Sequence, residues 1–309
     1  MDRRNALKTA GMASVFAFTS PALFAAEKKV AGKFKFCLNT STISGQQAGI
    51  KKYIDIAARA GYDCIEPWVM EIQAYLQQGN SLKSLKKLLD DSKVTVADAI
   101  GFAPWMVDDT AARTAGFAQM RKEMDMVAAL GCTRIAAPSS GADETKPLDL
   151  FKVGGYYKQL MEMGRQTGVT PLLEFWGSSP VFYHIGQALM ACAVANEKKV
   201  KILPDVYHLY RGNSGFDCLE MLDGSLIDII HINDYPGNSS REKLEDKDRV
   251  YPGDGIAPYQ QIIQSLNRMK GEKILSLELF NETYWKQDML QVAKTGLQKM
   301  RKLVAAYAG

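Results

Sequence analysis

Short apolar runs punctuate this chain, and four of them end in a carboxylate or an imidazole. PLLE ends at Glu174, KILPD at Asp205, DIIH at His231 and ILSLE at Glu278. Runs of this length bounded by turn residues read as buried strands, and the segments between them carry helical periodicity. In the segment 50–60, for example, Ile50, Ile54, Ala57 and Ala58 follow the i, i+4, i+7, i+8 spacing of an amphipathic helix. Strands that alternate with helices have to run parallel, because each helix carries the chain back across the sheet.

Strands are predicted at 34–38, 64–66, 94–100, 134–137, 170–175, 200–203, 227–232 and 274–279. Helices are predicted at 50–60, 81–90, 111–130, 156–167 and 259–269, and Gly61, Gly131, Gly168 and Gly271 mark helix ends before the next strand. Eight such units closing on themselves give an α/β chain of the (β/α)8 barrel type, with one catalytic domain over 27–309. An open doubly wound sheet is the competing architecture, but neither GxGxxG nor a Walker loop supports a nucleotide fold.

The first 26 residues have the layout of an export leader: a basic start, a mildly apolar stretch and small residues before a charged segment. Arg3 and Arg4, followed by Asn5, Ala6, Leu7 and Lys8, resemble a bacterial twin-arginine signal, with cleavage after Ala22 or Ala26. The expectation is an exported, periplasmic protein with no stable membrane anchor. Without Arg3, Arg4, Lys8 and Asp2, the 38 basic and 34 acidic residues become 35 and 33, a balance of +2. With no basic patch interleaved with aromatics, nucleic acid is excluded as a partner. The five cysteines, Cys37, Cys64, Cys132, Cys192 and Cys218, lack the spacing of a disulfide framework or a thiolate metal site and are expected to fill core positions.

In barrels of this type the chemistry sits at the carboxyl ends of the strands. Glu174, Asp205, His231 and Glu278 fall there on four consecutive predicted strands, so three carboxylates and one imidazole can face one centre. Three oxygens and one nitrogen suit one divalent metal ion, manganese first, with magnesium, cobalt or zinc as alternatives. His208, three residues after Asp205, is expected to bond a substrate hydroxyl or carbonyl, whereas His184 has no partner spacing and reads as structural. Glu66 ends the second strand and either binds a sugar hydroxyl or makes a salt bridge. Trp68, Phe102, Trp105 and Trp176 stand near strand ends, as pocket walls or as core, and Lys286 reaches the pocket or lies on the surface. The segment 233–255, rich in Gly, Pro, Asp and charge, is long for a loop and follows the strand that carries His231, where it can cover the pocket.

The segments LLEFWG, LPDVYHLYRGN, HINDYP, DRVYPGDG and LSLELFN together resemble the sugar isomerase/epimerase superfamily with the xylose-isomerase-like TIM barrel. That group includes ketose 3-epimerases, inosose dehydratase-like enzymes and endonuclease-IV-like proteins. The resemblance implies that Glu174, Asp205, His231 and Glu278 hold the ion and that Glu174 and Glu278 also serve as acid and base. It further implies that His208 and Arg249 contact substrate oxygens, with Arg241 competing for the arginine's role. With His184, His208 and His231 as its only histidines, the chain lacks the ligand cluster of the endonuclease branch. The implied partner is a small-molecule carbohydrate, and the reading is compatible with a homodimer. The implied activity is metal-dependent sugar isomerisation or epimerisation through a metal-stabilised enediolate. A lyase or dehydratase acting on 3-keto sugars or 3-keto glycosides uses the same site, and a non-catalytic sugar-binding barrel is the third reading.

Overall fold

The structure, a computed structural model, describes residues 33–308, so the leader expected over residues 1–26 lies outside the described residues. Eight parallel strands follow one another along the chain: β1 Phe34–Asn39, β2 Cys64–Glu66, β3 Thr95–Val96, β4 Arg134–Ala137, β5 Thr170–Glu174, β6 Ile202–Leu203, β7 Ile229–Ile232 and β8 Lys273–Leu277. The hydrogen-bonded order is β3-β2-β1-β8-β7 in one ladder and β4-β5-β6 in the other. Isolated bridges join the two: Ile100 pairs with Trp68 and Ala136 on one side, and Asp205 pairs with His231 on the other. The barrel is thereby closed, as the alternation of runs predicted.

The strand predicted over 94–100 keeps only two residues of regular ladder, yet its backbone stays bonded beyond them. Ala97 N donates to Ile65 O, Ile100 N to Pro67 O, and Ala136 N to Ala99 O. Helix boundaries shifted where a cap outweighed propensity. The helix predicted from 156 starts at Leu150 and runs to Thr167, because the Asp149 carboxylate accepts from the N–H groups of Phe151 and Lys152. The adjacent glycines Gly154 and Gly155 hid that first turn from the periodicity. Gly154 earns its place by close packing, since a Cβ there would meet Val194 at 2.5 Å.

Strand side chains alternate between the two faces of a sheet, and here that alternation layers the barrel interior. Cys37, Cys64, Leu172, Leu203 and Ile229 point inward, and with Ala97, Ala136 and Ile274 they form a dry plug. Two residues further along the same strands come Asn39, Glu66, Glu174, Asp205 and His231, all buried. The plug is a floor, and the polar layer rests on it. All five cysteines are free, and four of them are buried, in keeping with their expected packing role.

The segment 233–255 is ordered by one carboxylate. Asp234 accepts N–H groups from Tyr235 and Ala257 at Oδ1 and from Gly253 and Gly255 at Oδ2. A Cβ on Gly255 would meet Asp234 Oδ1 at 2.3 Å, so the clasp requires glycine there. Between the clasped ends, two 3-10 turns, Arg241–Lys243 and Asp246–Asp248, carry the chain over the carboxyl end of the barrel. No helix among the described residues is long and apolar enough to cross a membrane.

Candidate metal centre and active site

His231 is the hub of the polar layer. Its Nε2 lies 3.0 Å from Glu66 Oε1, and its Nδ1 faces three carboxylates: Glu278 Oε2 at 3.2 Å, Asp205 Oδ2 at 3.6 Å and Glu174 Oε1 at 3.8 Å. None of the three makes a hydrogen bond to it, so Nδ1 is buried without a partner. Ligand atoms of Asp205, His231 and Glu278 lie within 4.8 Å of one another. An orphaned imidazole nitrogen surrounded by carboxylate oxygens fits a hard or borderline divalent cation; Glu174, the fourth ligand expected from the sequence, lies outside this group of three.

The electrostatics have the same cause. Burial raises the Glu174 pKa to about 8, with the Glu278, Asp205 and Glu66 carboxylates adding to the effect. Burial opposes a charge on His231, but the carboxylates of Glu278 and Glu66 outweigh it and push its pKa well above the ordinary value. Asp205 is also buried, yet the Arg249 guanidinium holds its carboxyl far below the usual range. The crowded carboxylates thus draw a proton onto His231 and disfavour ionisation of Glu174, and a bound cation would relieve the same crowding.

Arg249 reaches into this cluster from the long loop. Its Nη1 donates to Asp205 Oδ2 at 3.0 Å and to Glu278 Oε2 at 2.7 Å, while Nη2 bonds the Asp246 carboxylate and lies 3.2 Å from His208 Nε2. Its guanidinium stacks over the Tyr207 and Phe280 rings at 4.5 and 4.9 Å. Burial, with Arg249 adjacent, lowers the His208 pKa to about 4, so its Nε2 can accept from the arginine. Arg241 bonds Asn213 and Glu242 at the surface instead, which leaves Arg249 as the arginine of the pocket.

The pocket above the layer has a volume of about 220 Å³. Trp68, Phe102 and Trp176 form walls, as expected, together with Phe280. Glu174, Glu278, His208, Arg249 and Asp246 supply its polar groups.

Three expectations are corrected. Trp105 lies away from the pocket: it is fully buried, tilted against Tyr157, and its Nε1 donates to the Pro138 carbonyl at 2.7 Å. Trp105 N donates to the Ala103 carbonyl at 2.8 Å, a tight turn around Pro104, and the indole packs in the main core rather than in the pocket. Lys286 follows the short helix Glu282–Trp285 and is exposed, so it does not reach the pocket. Glu66 touches no open space. It accepts from Asn39 Nδ2 at 3.0 Å and from Ser276 Oγ at 2.5 Å, and it pairs with His231, so of its two sequence readings the buried ion pair holds.

Four residues escaped the sequence reading. Asn39 bridges Glu66 and Glu278, Ser276 supports Glu66, and Asn233 donates to Asp205 Oδ2 at 2.9 Å while accepting from Tyr207 N. Asp246 anchors Arg249. A signal existed for two of them. Asn39 ends a strand as the candidate ligands do, and Ser276 stands two residues before Glu278, on the same face of its strand. His184 caps the helix Ile185–Ala195 by accepting from Gly186 N at 2.9 Å, a structural role as read.

Comparison with known proteins places this geometry. A family model described as "Xylose isomerase-like TIM barrel" matches residues 54–303. The chain is 22% identical over 279 residues to a protein named inosose isomerase from Bacillus velezensis, covering 88% of this chain and 98% of that one. A solved structure described as an IolI protein with a bound zinc atom superposes with a TM-score of 0.80 at 22% identity, covering 88% of this chain and 99% of that one. A D-psicose 3-epimerase solved in the presence of D-fructose superposes with a TM-score of 0.66 at 17% identity, covering 89% and 100%.

Proposed function

The chain belongs to the xylose isomerase-like TIM barrel family, and on that premise we propose that it is a sugar isomerase or epimerase that moves a proton next to a carbonyl. One observation carries the reading. Glu174 on β5 and Glu278 after β8 bring carboxylate oxygens within 3.8 and 3.2 Å of His231 Nδ1 on the intervening β7, at the base of the pocket. The pocket is smaller than the roughly 300–1,000 Å³ cavities that take drug-sized ligands, and it suits one sugar ring. The names of the relatives, inosose isomerase and D-psicose 3-epimerase, support a carbohydrate of that size.

Glu174, Asp205, His231 and Glu278 would hold one divalent ion, manganese in the first instance, with magnesium, cobalt or zinc as alternatives. When bound, such an ion supplies Lewis-acid polarisation of the sugar's carbonyl and hydroxyl oxygens. One of Glu174 and Glu278 removes the proton beside the carbonyl, and the other returns one. Return to the opposite face of the same carbon gives an epimer; return to the neighbouring carbon gives an isomer. Arg249 and His208 lie side by side at the pocket wall and meet the charge that develops on substrate oxygen during proton removal. Glu66, Asn39 and Asn233 take no part in proton movement and fix the orientation of His231, Glu278 and Asp205.

Product analysis after incubation with free ketoses and inososes tests the reading. An epimeric or isomeric sugar is expected, and its yield should collapse in Glu278→Gln. An unsaturated, eliminated product would move the reaction to the lyase class instead. The leader expected over residues 1–26 adds a location, the periplasm. Cell fractionation checks it: the processed chain should be periplasmic and should stay in the cytosol when Arg3 and Arg4 are both changed to lysine.

A further inference from the structure

Arg249 engages the two oxygens that a cation at this centre would need. His231 Nδ1 faces Glu278 Oε2 at 3.2 Å and Asp205 Oδ2 at 3.6 Å. Arg249 Nη1 donates to the same two oxygens, at 2.7 and 3.0 Å. Asp205 Oδ2 has no capacity to spare. A carboxylate oxygen offers two lone pairs, and this one accepts from Asn233 Nδ2 at 2.9 Å as well as from Arg249. The arginine is spent too. Nη1 gives its two N–H groups to Asp205 and Glu278, and Nη2 gives its two to Asp246 and His208 Nε2, so no terminal N–H is left for a substrate.

A cation that ligates Asp205 Oδ2 must displace one of its two donors, and charge decides which. Asn233 is neutral, fully buried and pinned at its other end, where its Oδ1 accepts from Tyr207 N at 2.9 Å. Arg249 carries a positive charge of its own, and like charges a few ångströms apart inside a protein repel strongly. The guanidinium is therefore the donor that yields. Its remaining contacts do not involve the ligand oxygens: Nη2 stays with Asp246 and His208, and the plane stacks on Tyr207 and Phe280. The Arg249 carbonyl accepts from Asn281 Nδ2 at 3.0 Å, which fixes the backbone at that residue. Nη1 can thus leave the oxygens while the residue stays at the pocket wall.

We propose that metal loading arms this arginine: an ion bound by Asp205 and Glu278 displaces Arg249 Nη1 from their oxygens and frees its N–H groups for a substrate oxygen in the pocket. The inference rests on the centre being a divalent-cation site, as in the proposed function. Arg249 is then a binding residue whose availability depends on the ion. The coupling is reciprocal, so the arginine weakens the ion's hold by the same factor by which the ion weakens the arginine's. Substrate meets a free guanidinium only after the ion is in place, which sets the order of binding.

Calorimetric titration of the full chain with Mn²⁺ and Zn²⁺ tests the competition, with circular dichroism as the folding control. Arg249→Met is expected to bind the ion at least about ten-fold more tightly than the unaltered chain, because the competing charge is gone. Equal or weaker binding would mean that the guanidinium holds the carboxylates in place for the ion, and the proposal is overturned. The unaltered chain supplies a second test that does not depend on the methionine variant folding. The Arg249 guanidinium signal in ¹⁵N NMR is assigned by its loss in Arg249→Lys, which keeps the buried charge. Its protons should exchange faster with solvent at saturating Zn²⁺; protons that stay as protected as before overturn the proposal as well. Neither readout needs turnover. If no form of the chain takes up a divalent ion, the metal centre falls and this coupling with it. If unaltered and variant chains bind the ion equally, the centre stands and only the coupling is lost.

Discussion

Glu66 Oε1 lies 3.0 Å from His231 Nε2, and both side chains are fully out of contact with solvent. The pair determines which imidazole nitrogen is available: with Nε2 engaged, Nδ1 is the atom turned towards Glu174, Asp205 and Glu278. Carboxylates in this supporting position orient a ligating histidine and tune its basicity.

Glu66→Gln is therefore expected to weaken divalent-cation binding by about 10- to 100-fold with the fold retained. Titration with manganese or zinc by calorimetry checks this, with circular dichroism as the control for folding. Unchanged affinity would mean that the pair is structural only.

Asp205 takes a different kind of support, from Asn233 Nδ2 and Arg249 Nη1. Removing the guanidinium in Arg249→Met leaves Asp205 and Glu278 without their buried counter-charge, although the methionine keeps the stacking against Tyr207 and Phe280. Turnover should fall by about 10²-fold or more if the arginine also meets charge on the substrate. A rise in KM with turnover unchanged would restrict Arg249 to binding.

Glu71, outside the candidate metal-binding group, gives a pH signature of its own. Burial raises its carboxyl from 4.5 to about 7, against hydrogen bonds from Thr40 and the Trp68 backbone. A carboxyl with a raised folded pKa takes up a proton on folding, so stability falls as pH rises from about 4.5 to 7 and is level above that window. Glu71→Gln can keep both hydrogen bonds, because one oxygen accepts them. Tm measured across that range should drop less steeply in the variant. Parallel curves would show that Glu71 contributes nothing to the pH dependence.

Trp105 and Lys286 separate packing from binding. Trp105→Ala should lower stability by about 3–5 kcal/mol, the usual range for deleting a large buried aromatic, and also breaks the bond to Pro138. Lys286→Ala, at an exposed site, should change neither stability nor activity. Denaturant titration and steady-state kinetics on the two variants test the placement together. A specific KM effect in Lys286→Ala would return that lysine to the pocket.

The barrel was legible because its signals are local. Each strand is a short apolar run, and Glu174, Asp205 and His231 are each the first inward-facing polar residue above the plug that includes Leu172, Leu203 and Ile229, whereas Glu278 is the second above Ile274, after Ser276. Supporting contacts were harder to read, because they join residues far apart in sequence. Glu66 and His231 are 165 residues apart, and Asn39 and Glu278 are 239 apart. Trp105 misled for a related reason: a tryptophan just past a strand end can face the pocket or the main core, and here it packs in the core.

In the proposed reaction Glu174 and Glu278 exchange a substrate proton with solvent. Incubating the full chain, loaded with manganese, with its sugar substrate in D₂O and reading the product by NMR tests this most directly. Deuterium is expected at the carbon beside the carbonyl, accumulating with turnover and lost in Glu278→Gln. Complete conversion to product with the original hydrogen retained at that carbon would mean direct hydrogen transfer within the sugar, and the two glutamates would not be its acid and base.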